Sequence, residues 1–150
     1  MKLIYPLLTG LLVLLHLSCT EQACDLDTEA FLNAGFYSAE TAEEISLDSL
    51  TIYGINREDS LIYSMANTGK AALPLDPSGE SCSFIIKNGD RTDTLSFQYI
   101  PEMIFLSTEC GYIYNYRLSD ITYSLNEIEN ILTINENVKP GDEENIQIFF

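Results

Sequence analysis

Apolar and polar residues alternate in short runs from residue 31 to the end of the chain, and turn residues such as Asn, Gly, Pro and Asp separate the runs. A period of two places successive side chains on opposite faces of an extended backbone, so each run predicts a β-strand. About nine or ten strands are expected, beginning with residues 31–37 and ending with residues 146–150. The two phenylalanines at the end predict a last strand that docks into a sheet.

The stretch from residue 101 to residue 116 has the most concentrated apolar pattern. Met103–Leu106 is a solid apolar run bounded by Pro101 and Ser107, which predicts a short strand buried on both faces. A polar corner with Cys110 and Gly111 follows it. Tyrosines then recur at a period of two, at Tyr112, Tyr114 and Tyr116. We therefore expect two strands joined by a tight link in the middle of the core.

Turn residues predict how the strands are connected. Asn88 and Gly89 lie between two alternating runs and would supply the two positive φ angles of a tight hairpin turn. Residues 56–59 predict a second hairpin turn, and residues 71–75 an edge strand that runs into a loop. Residues 38–45 predict a single helical turn.

Strands linked mainly by hairpins, with no convincing helix, indicate an all-β protein. We expect an antiparallel β-sandwich of Greek-key or immunoglobulin-like topology, with a small β-barrel as the alternative. The chain has 150 residues and no repeat at a period of 20 to 50 residues. Residues 31–150 are therefore expected to form a single β-sandwich domain.

The N-terminus has the pattern of an export signal. Lys2 gives a positive start, residues 7–17 are mostly apolar, and Ser18 and Cys19 follow, so residues 1–18 are expected to be a signal peptide. The apolar segment is well short of the ~20 residues that span a bilayer, which argues against a transmembrane anchor.

Ser18-Cys19 resembles the bacterial lipobox, in which the cysteine is acylated and becomes the first residue of the mature protein. His16 stands where most lipoboxes have an aliphatic residue. The resemblance implies that Cys19 is lipidated and that residues 19–30 form a lipidated tether. Ordinary signal-peptide cleavage is the alternative.

The composition is strongly acidic, with 7 Lys and Arg against 23 Asp and Glu. Removal of residues 1–18 takes away Lys2 and no acid, so the formal charge changes from −16 to −17. Nucleic acid and anionic lipid surfaces are therefore disfavoured as partners. Residues 25–29 resemble the start of a calcium loop, but Ala30 and Phe36 stand where the loop needs Gly and Glu, so no metal site is expected.

Several kinds of catalysis lack their residues. The only histidine, His16, lies in the signal peptide, which removes Ser-His pairs, Cys-His pairs and histidine metal ligands from the mature chain. No glycine-rich phosphate loop is present either. We expect no enzyme, no catalytic residue and no cofactor.

One set of side chains could bind a glycan, and another could carry one. Tyr112, Tyr114 and Tyr116 would share one strand face and could stack on a glycan, although packing with hydrogen-bonded hydroxyls is the commoner use of such tyrosines. Three Asp-Ser/Thr-Leu tripeptides are similar to the acceptor pattern of periplasmic O-glycosylation in Bacteroidota. Their acceptors would be Ser49, Ser60 and Thr94, each expected to precede a strand with its hydroxyl exposed; turn capping is the alternative.

The lipobox, the step Leu73-Pro74-Leu75 and the motif Ser107-Thr108-Glu109-Cys110-Gly111 together resemble an uncharacterised family of small Bacteroidota lipoproteins. The motif has the form Ser-x-Glu-Cys-Gly. The resemblance implies a small β domain on an outer-membrane lipoprotein of the cell envelope and supplies no catalytic residues.

Cys24, Cys82 and Cys110 remain after Cys19 is acylated, and an oxidising compartment permits one bridge among them in three pairings. Cys82 opens a strand and is expected to be a small buried residue. Cys24 lies where the tether meets the domain and Cys110 beside a glycine at a corner. We expect a disulfide between Cys24 and Cys110; three free thiols are the alternative.

Two function classes follow from these patterns. The first is a non-enzymatic accessory or protein-interaction lipoprotein with a protein partner in the cell envelope, and its mark would be an exposed apolar patch. The second is a module that binds a glycan or small ligand, and its mark would be aromatic side chains lining a concave surface.

Overall fold

The computed structural model describes residues 24–150, and within this range it contains ten β-strands and no helix. None of the described segments is a helix long and apolar enough to cross a membrane. The strands are β1 Phe31–Tyr37, β2 Leu47–Gly54, β3 Leu61–Thr68, β4 Lys70–Pro74, β5 Ser81–Asn88, β6 Arg91–Ser107, β7 Gly111–Tyr123, β8 Asn130–Thr133, β9 Asn137–Val138 and β10 Ile146–Phe149. The all-β prediction is confirmed.

The strands form two sheets. One has four strands in the order β4-β1-β10-β8, and the other has six in the order β3-β2-β5-β6-β7-β9. Neighbouring strands are antiparallel except β1 and β10, which are parallel. The fold is therefore the predicted antiparallel β-sandwich and not the alternative small barrel. β4 is an edge strand of the four-stranded sheet, as predicted.

A single hydrophobic core lies between the sheets. The four-stranded sheet contributes Leu32, Phe36 and Ile148, and the six-stranded sheet contributes Leu95 and Phe97 among others, all essentially inaccessible to solvent. Alternation explains which residues are buried, because residues two apart on a strand share a face of the sheet. The final strand docks as predicted, with Phe150 edge-on to Phe36 at 5.7 Å between ring centroids.

The turn between β5 and β6 differs from the prediction. Asn88 pairs with Arg91, so the two turn residues are Gly89 and Asp90. Only Gly89 has a positive φ, of 58°. The expectation of positive φ at both Asn88 and Gly89 is wrong, because Asn88 is the last residue of β5 and not part of the turn. Glycine at the first central position is typical of a type II′ hairpin.

Residues 38–42 form a single helical turn, as predicted for residues 38–45, and this turn does not continue into a helix. The Ala42 N–H donates to the Ser38 carbonyl at 2.8 Å, and the Thr41 N–H donates to the Ser38 hydroxyl at 3.4 Å. Ala42 then has φ of +56°. That left-handed conformation stops a right-handed helix from continuing.

Candidate functional site

The far halves of β6 and β7 leave the sandwich. β5 pairs with β6 only as far as Gln98, and β9 pairs with β7 only at Tyr116 and Arg117. Beyond those points residues 100–115 form a two-stranded ribbon with no third strand beside it within the described chain. We call this ribbon the arm. At about 3.3 Å per residue it extends roughly 25 Å.

The apolar run that was expected in the middle of the core lies on the arm and is exposed. Met103 is 61% exposed and Phe105 is 57% exposed. The strand was predicted correctly, but its burial on both faces was not. β6 has 17 residues, whereas no strand of the facing four-stranded sheet has more than 7. The facing sheet is therefore too short to cover the arm.

The two faces of the arm differ in chemistry. Cross-strand pairing places Met103 opposite Tyr114 and Phe105 opposite Tyr112. This face, which we call the apolar face, also holds Pro101 and carries no charged side chain. The rings of Phe105 and Tyr112 are 5.2 Å apart. The apolar face continues the core-facing side of the six-stranded sheet beyond the point where the four-stranded sheet ends.

The opposite face of the arm, the charged face, mixes apolar and charged groups. Ile104 lies opposite Ile113, Glu102 opposite Asn115, and Ile100 opposite Arg117 at the base of the arm. The Glu102 carboxylate and the Arg117 guanidinium are 3.9 Å apart, and both side chains are about half exposed. An exposed pair of this kind adds little stability. Ile113, on the same face, is only 6% exposed.

A disulfide fixes the tip of the arm to the N-terminal segment. Cys24 and Cys110 are bonded, with 4.9 Å between their Cα atoms, so the predicted pairing is confirmed. The Cys110 N–H also donates to the Ser107 hydroxyl at 3.1 Å. An isolated two-stranded hairpin is marginally stable in water. The covalent tie therefore holds the part of the arm that has the least support from neighbouring strands.

Cys82 is the free cysteine among the described residues. It lies in β5 opposite Phe97 and is half-buried, where a buried side chain was expected. Burial raises the pKa of the Cys82 thiol to about 11, against a smaller lowering effect of the hydrogen bond with Tyr99. A thiol with this pKa is protonated at neutral pH and is a poor nucleophile.

The three candidate stacking tyrosines have different environments. Tyr112 is 64% exposed and Tyr114 is 37% exposed, but Tyr116 is only 6% exposed. The Tyr116 hydroxyl donates to the Leu75 carbonyl at 3.1 Å, and its ring lies 5.4 Å from that of Tyr99. Burial, and then the charge of Asp76, raises the pKa of Tyr116. Tyr116 is thus a packing residue, whereas Tyr112 and Tyr114 are accessible.

All three tyrosines nevertheless line one cleft. Its volume is about 370 Å³, and it lies between the tyrosines of the apolar face and the segment that leads into β1. Thr28 and Glu29 are its polar lining residues beside the tyrosine hydroxyls. The remaining lining residues are Ala30, Phe31, Pro74, Leu75, Pro77 and Ile113. Aromatic rings on a concave surface are what a ligand-binding module requires.

The three candidate O-glycosylation acceptors are placed unequally. Ser60 is exposed and directly precedes β3, as predicted. Ser49 and Thr94 lie inside β2 and β6 and are half-buried, so the expectation that they precede strands is wrong. Only Ser60 therefore has the exposed position that was expected of all three.

Asp93, the acidic residue of the third tripeptide, ties two segments together. Its carboxylate is 2% exposed and accepts hydrogen bonds from the Ser124 hydroxyl and from the backbone N–H groups of Asn126, Glu127 and Ile128. Burial alone would raise the pKa of Asp93, but these four donors hold it below its usual value. The sequence contained no signal for this network, because its partners lie more than 30 residues away.

Three predicted features fall wholly or partly outside the described residues. The signal peptide 1–18 and the lipidation site Cys19 both lie before residue 24. Of the tether, residues 24–30 are described, and they run without strand structure from Cys24 to the start of β1. Between residues 24 and 150, no three His, Cys, Asp or Glu side chains are grouped so that they could hold a metal ion.

Comparison with known protein families gives a match. The model of a protein family, described as a family of unknown function (DUF6452), matches residues 49–150. This range includes the whole arm and Cys110, and it begins after Cys24. Neither the curated proteins nor the solved structures contain a match to the chain.

Proposed function

We propose that this chain, which belongs to the DUF6452 family of unknown function, is a non-enzymatic outer-membrane lipoprotein that serves as an accessory interaction module of the cell envelope. The observation that carries the proposal is the exposed apolar face of the arm. The resemblance of the sequence to small Bacteroidota lipoproteins supports the outer membrane as the compartment.

The apolar face is a surface that favours a partner. Met103, Phe105 and Tyr112 lie together and each exposes more than half of its side chain. Contiguous apolar surface of this kind commonly marks contact with a protein or a membrane. The segment that leads into β1 lines a cleft with Tyr112, yet all three side chains stay more than half exposed, so the covering surface belongs to another component of the envelope.

Lipid on Cys19 is the proposed anchor. The export signal and the lipobox support it, and a second acyl chain on the new amino terminus would make attachment stable where a single chain binds only marginally. An anchored module has two candidate covers for its apolar face, a protein of the envelope or the bilayer that holds the lipid.

Cell fractionation tests the anchor. Cys19→Ala should shift the protein from the membrane fraction to the soluble fraction and remove its acyl mass. Cys82→Ala is the matched control, since it also removes a cysteine and should leave fractionation unchanged. A wild-type protein that carries no acyl mass and stays soluble would contradict the proposal.

Crosslinking in intact cells tests the interaction surface. Phe105→Ser removes an exposed ring, so it should leave the melting temperature nearly unchanged while reducing crosslinks that form near the arm. Leu125→Ser, an exposed apolar residue just beyond the far end of β7, is the control and should retain the wild-type pattern. Equal patterns for both variants would argue against the arm as the interaction surface.

A second candidate function is the binding of a glycan or small ligand, and the tyrosine-lined cleft favours it. Stacking depends on the ring and not on the hydroxyl. Tyr112→Ala and Tyr114→Ala should therefore abolish binding to an immobilised glycan panel, whereas Tyr112→Phe should retain it. A wild-type protein that binds no member of the panel would remove the support for this candidate.

A further inference from the structure

The disulfide holds the tip of the arm close to the proposed lipid anchor. Cys24 follows Cys19 by five residues, and five residues reach at most about 18 Å however they are arranged. The Cα atom of Cys110 is 4.9 Å from that of Cys24. The tip is therefore confined to within about 25 Å of the acylated residue. This step rests on the proposed function, because it takes Cys19 to be lipidated.

The chemistry of the arm fits the boundary between lipid and water. Its apolar face presents Met103, Phe105 and Tyr112 without a charged side chain, and its charged face carries the Glu102–Arg117 pair. The charged face also holds Ile104 and Ile113, so it is the exposed Met103 and aromatic rings of the apolar face that suit the arm to contact with lipid. Phenylalanine and tyrosine are suited to that depth, since tyrosine combines an apolar ring with a polar end.

The N-terminal segment also carries an exposed apolar side chain. Leu26 is 60% exposed and lies two residues after the disulfide-bonded Cys24. Leu26 is thus a further exposed apolar residue close in sequence to the disulfide, between the acidic residues Asp25 and Asp27.

We propose that the surface covering the apolar face is the bilayer that holds the Cys19 lipid, so that the arm is a second membrane contact. A lipid anchor keeps the bilayer permanently within reach, which gives it a high effective concentration compared with a freely diffusing protein. The contact depends on apolar area and not on charge, since the apolar face has no Lys or Arg and the chain without residues 1–18 carries a formal charge of −17. Zwitterionic lipid is therefore the expected surface.

The consequence is a fixed orientation of the sandwich. A lipidated tether alone would give the domain one point of attachment, whereas a tether and an arm together define two. From Tyr112 to the end of β7 at Tyr123 the strand extends roughly 36 Å. The far end of the six-stranded sheet would therefore point away from the membrane.

The chain contains no tryptophan, so a single introduced tryptophan reports on one position. The acylated protein is extracted in detergent and reconstituted into zwitterionic phosphatidylcholine and phosphatidylethanolamine vesicles, with or without brominated acyl chains. Phe105→Trp and Tyr112→Trp replace exposed aromatic side chains, so either variant should fold. Leu125→Trp is the matched control, exposed and beyond the opposite end of β7.

The expected result is a shift of emission to shorter wavelength and loss of emission with brominated lipid for Phe105→Trp and Tyr112→Trp, with neither change for Leu125→Trp. Acylated protein that sediments with the vesicles while both arm tryptophans stay unquenched would overturn the inference and leave the anchor intact. In that outcome a photocrosslinker at Phe105 that captures an envelope protein would identify the cover as protein. Protein without acyl mass that fails to sediment would overturn the anchor itself, and the inference with it.

Discussion

Replacing the buried carboxylate of Asp93 should destabilise the fold more than any exposed acidic substitution. Asp93 is 2% exposed, and four donors from residues 124–128 point at its two oxygens, with Glu127 N–H at 2.8 Å and Asn126 N–H at 2.9 Å. Each hydrogen bond to a charged group contributes about 1.5–3 kcal/mol, and shared acceptors make the total less than the sum. Asp93→Asn should therefore cost about 3 kcal/mol, because its amide presents an N–H group to other donors.

Urea unfolding of the mature chain carrying Cys19→Ser measures this difference. Asp90→Asn is the matched control, since Asp90 is exposed in the turn at the start of the same strand and should change stability by less than about 0.5 kcal/mol. The midpoint should fall for Asp93→Asn with little change in the slope.

The pH dependence gives a second test of the same network. The donors hold the pKa of Asp93 below its unfolded value of about 3.9. The stability that this carboxylate contributes is thus fully present above about pH 4 and is lost as the pH falls through the folded pKa. As the pH falls, the free energy of unfolding of the wild-type protein should decrease toward that of Asp93→Asn. Equal stability of the two proteins at pH 7, or a gap that widens in acid, would refute the reasoning.

Four further predictions concern single residues. Cys110→Ser should lower the free energy of unfolding by up to about 4–5 kcal/mol in urea, because the disulfide closes a loop of 86 residues, and unchanged stability would contradict this. Tyr116→Phe should cost about 1 kcal/mol by the same assay, because the Leu75 carbonyl loses its donor; no loss would show that water replaces it. Cys82, with a pKa of about 11, should react slowly with iodoacetamide at pH 7.5 in the folded protein and rapidly in urea, and equal rates would contradict its burial. Ser60→Ala should remove more glycan mass than Thr94→Ala from protein isolated from its own cells, and the reverse order would refute the inference from exposure.

The fold was predictable because its strands follow local rules. Alternation located the strands β1 and β6, and the C-terminal phenylalanines indicated a docked last strand. The disulfide was predictable too, since the small number of cysteines left few pairings and Gly111 marked a corner open to close approach. These features depend on residues near each other in the sequence or on a choice among few options.

The arm was not predictable from its own residues. Met103–Leu106 has the composition of a strand buried on both faces, and only the length of the facing sheet decides whether anything covers it. That length depends on β1, β4, β8 and β10, which lie elsewhere in the sequence. The hydrogen-bond network of Asp93 could not be predicted for the same reason, because its four donors come from a loop more than 30 residues away. Tyrosine spacing likewise placed three rings on one face without showing that only Tyr116 is buried.

The dependence of arm quenching on the disulfide tests the account most directly. Phe105→Trp in acylated protein is compared with the same variant carrying Cys24→Ser and Cys110→Ser, each in vesicles with brominated lipid. We expect strong quenching with the disulfide and weaker quenching without it, because the tie holds the tip within reach of the bilayer. An unquenched tryptophan in acylated, disulfide-bonded protein that sediments with the vesicles would contradict the account.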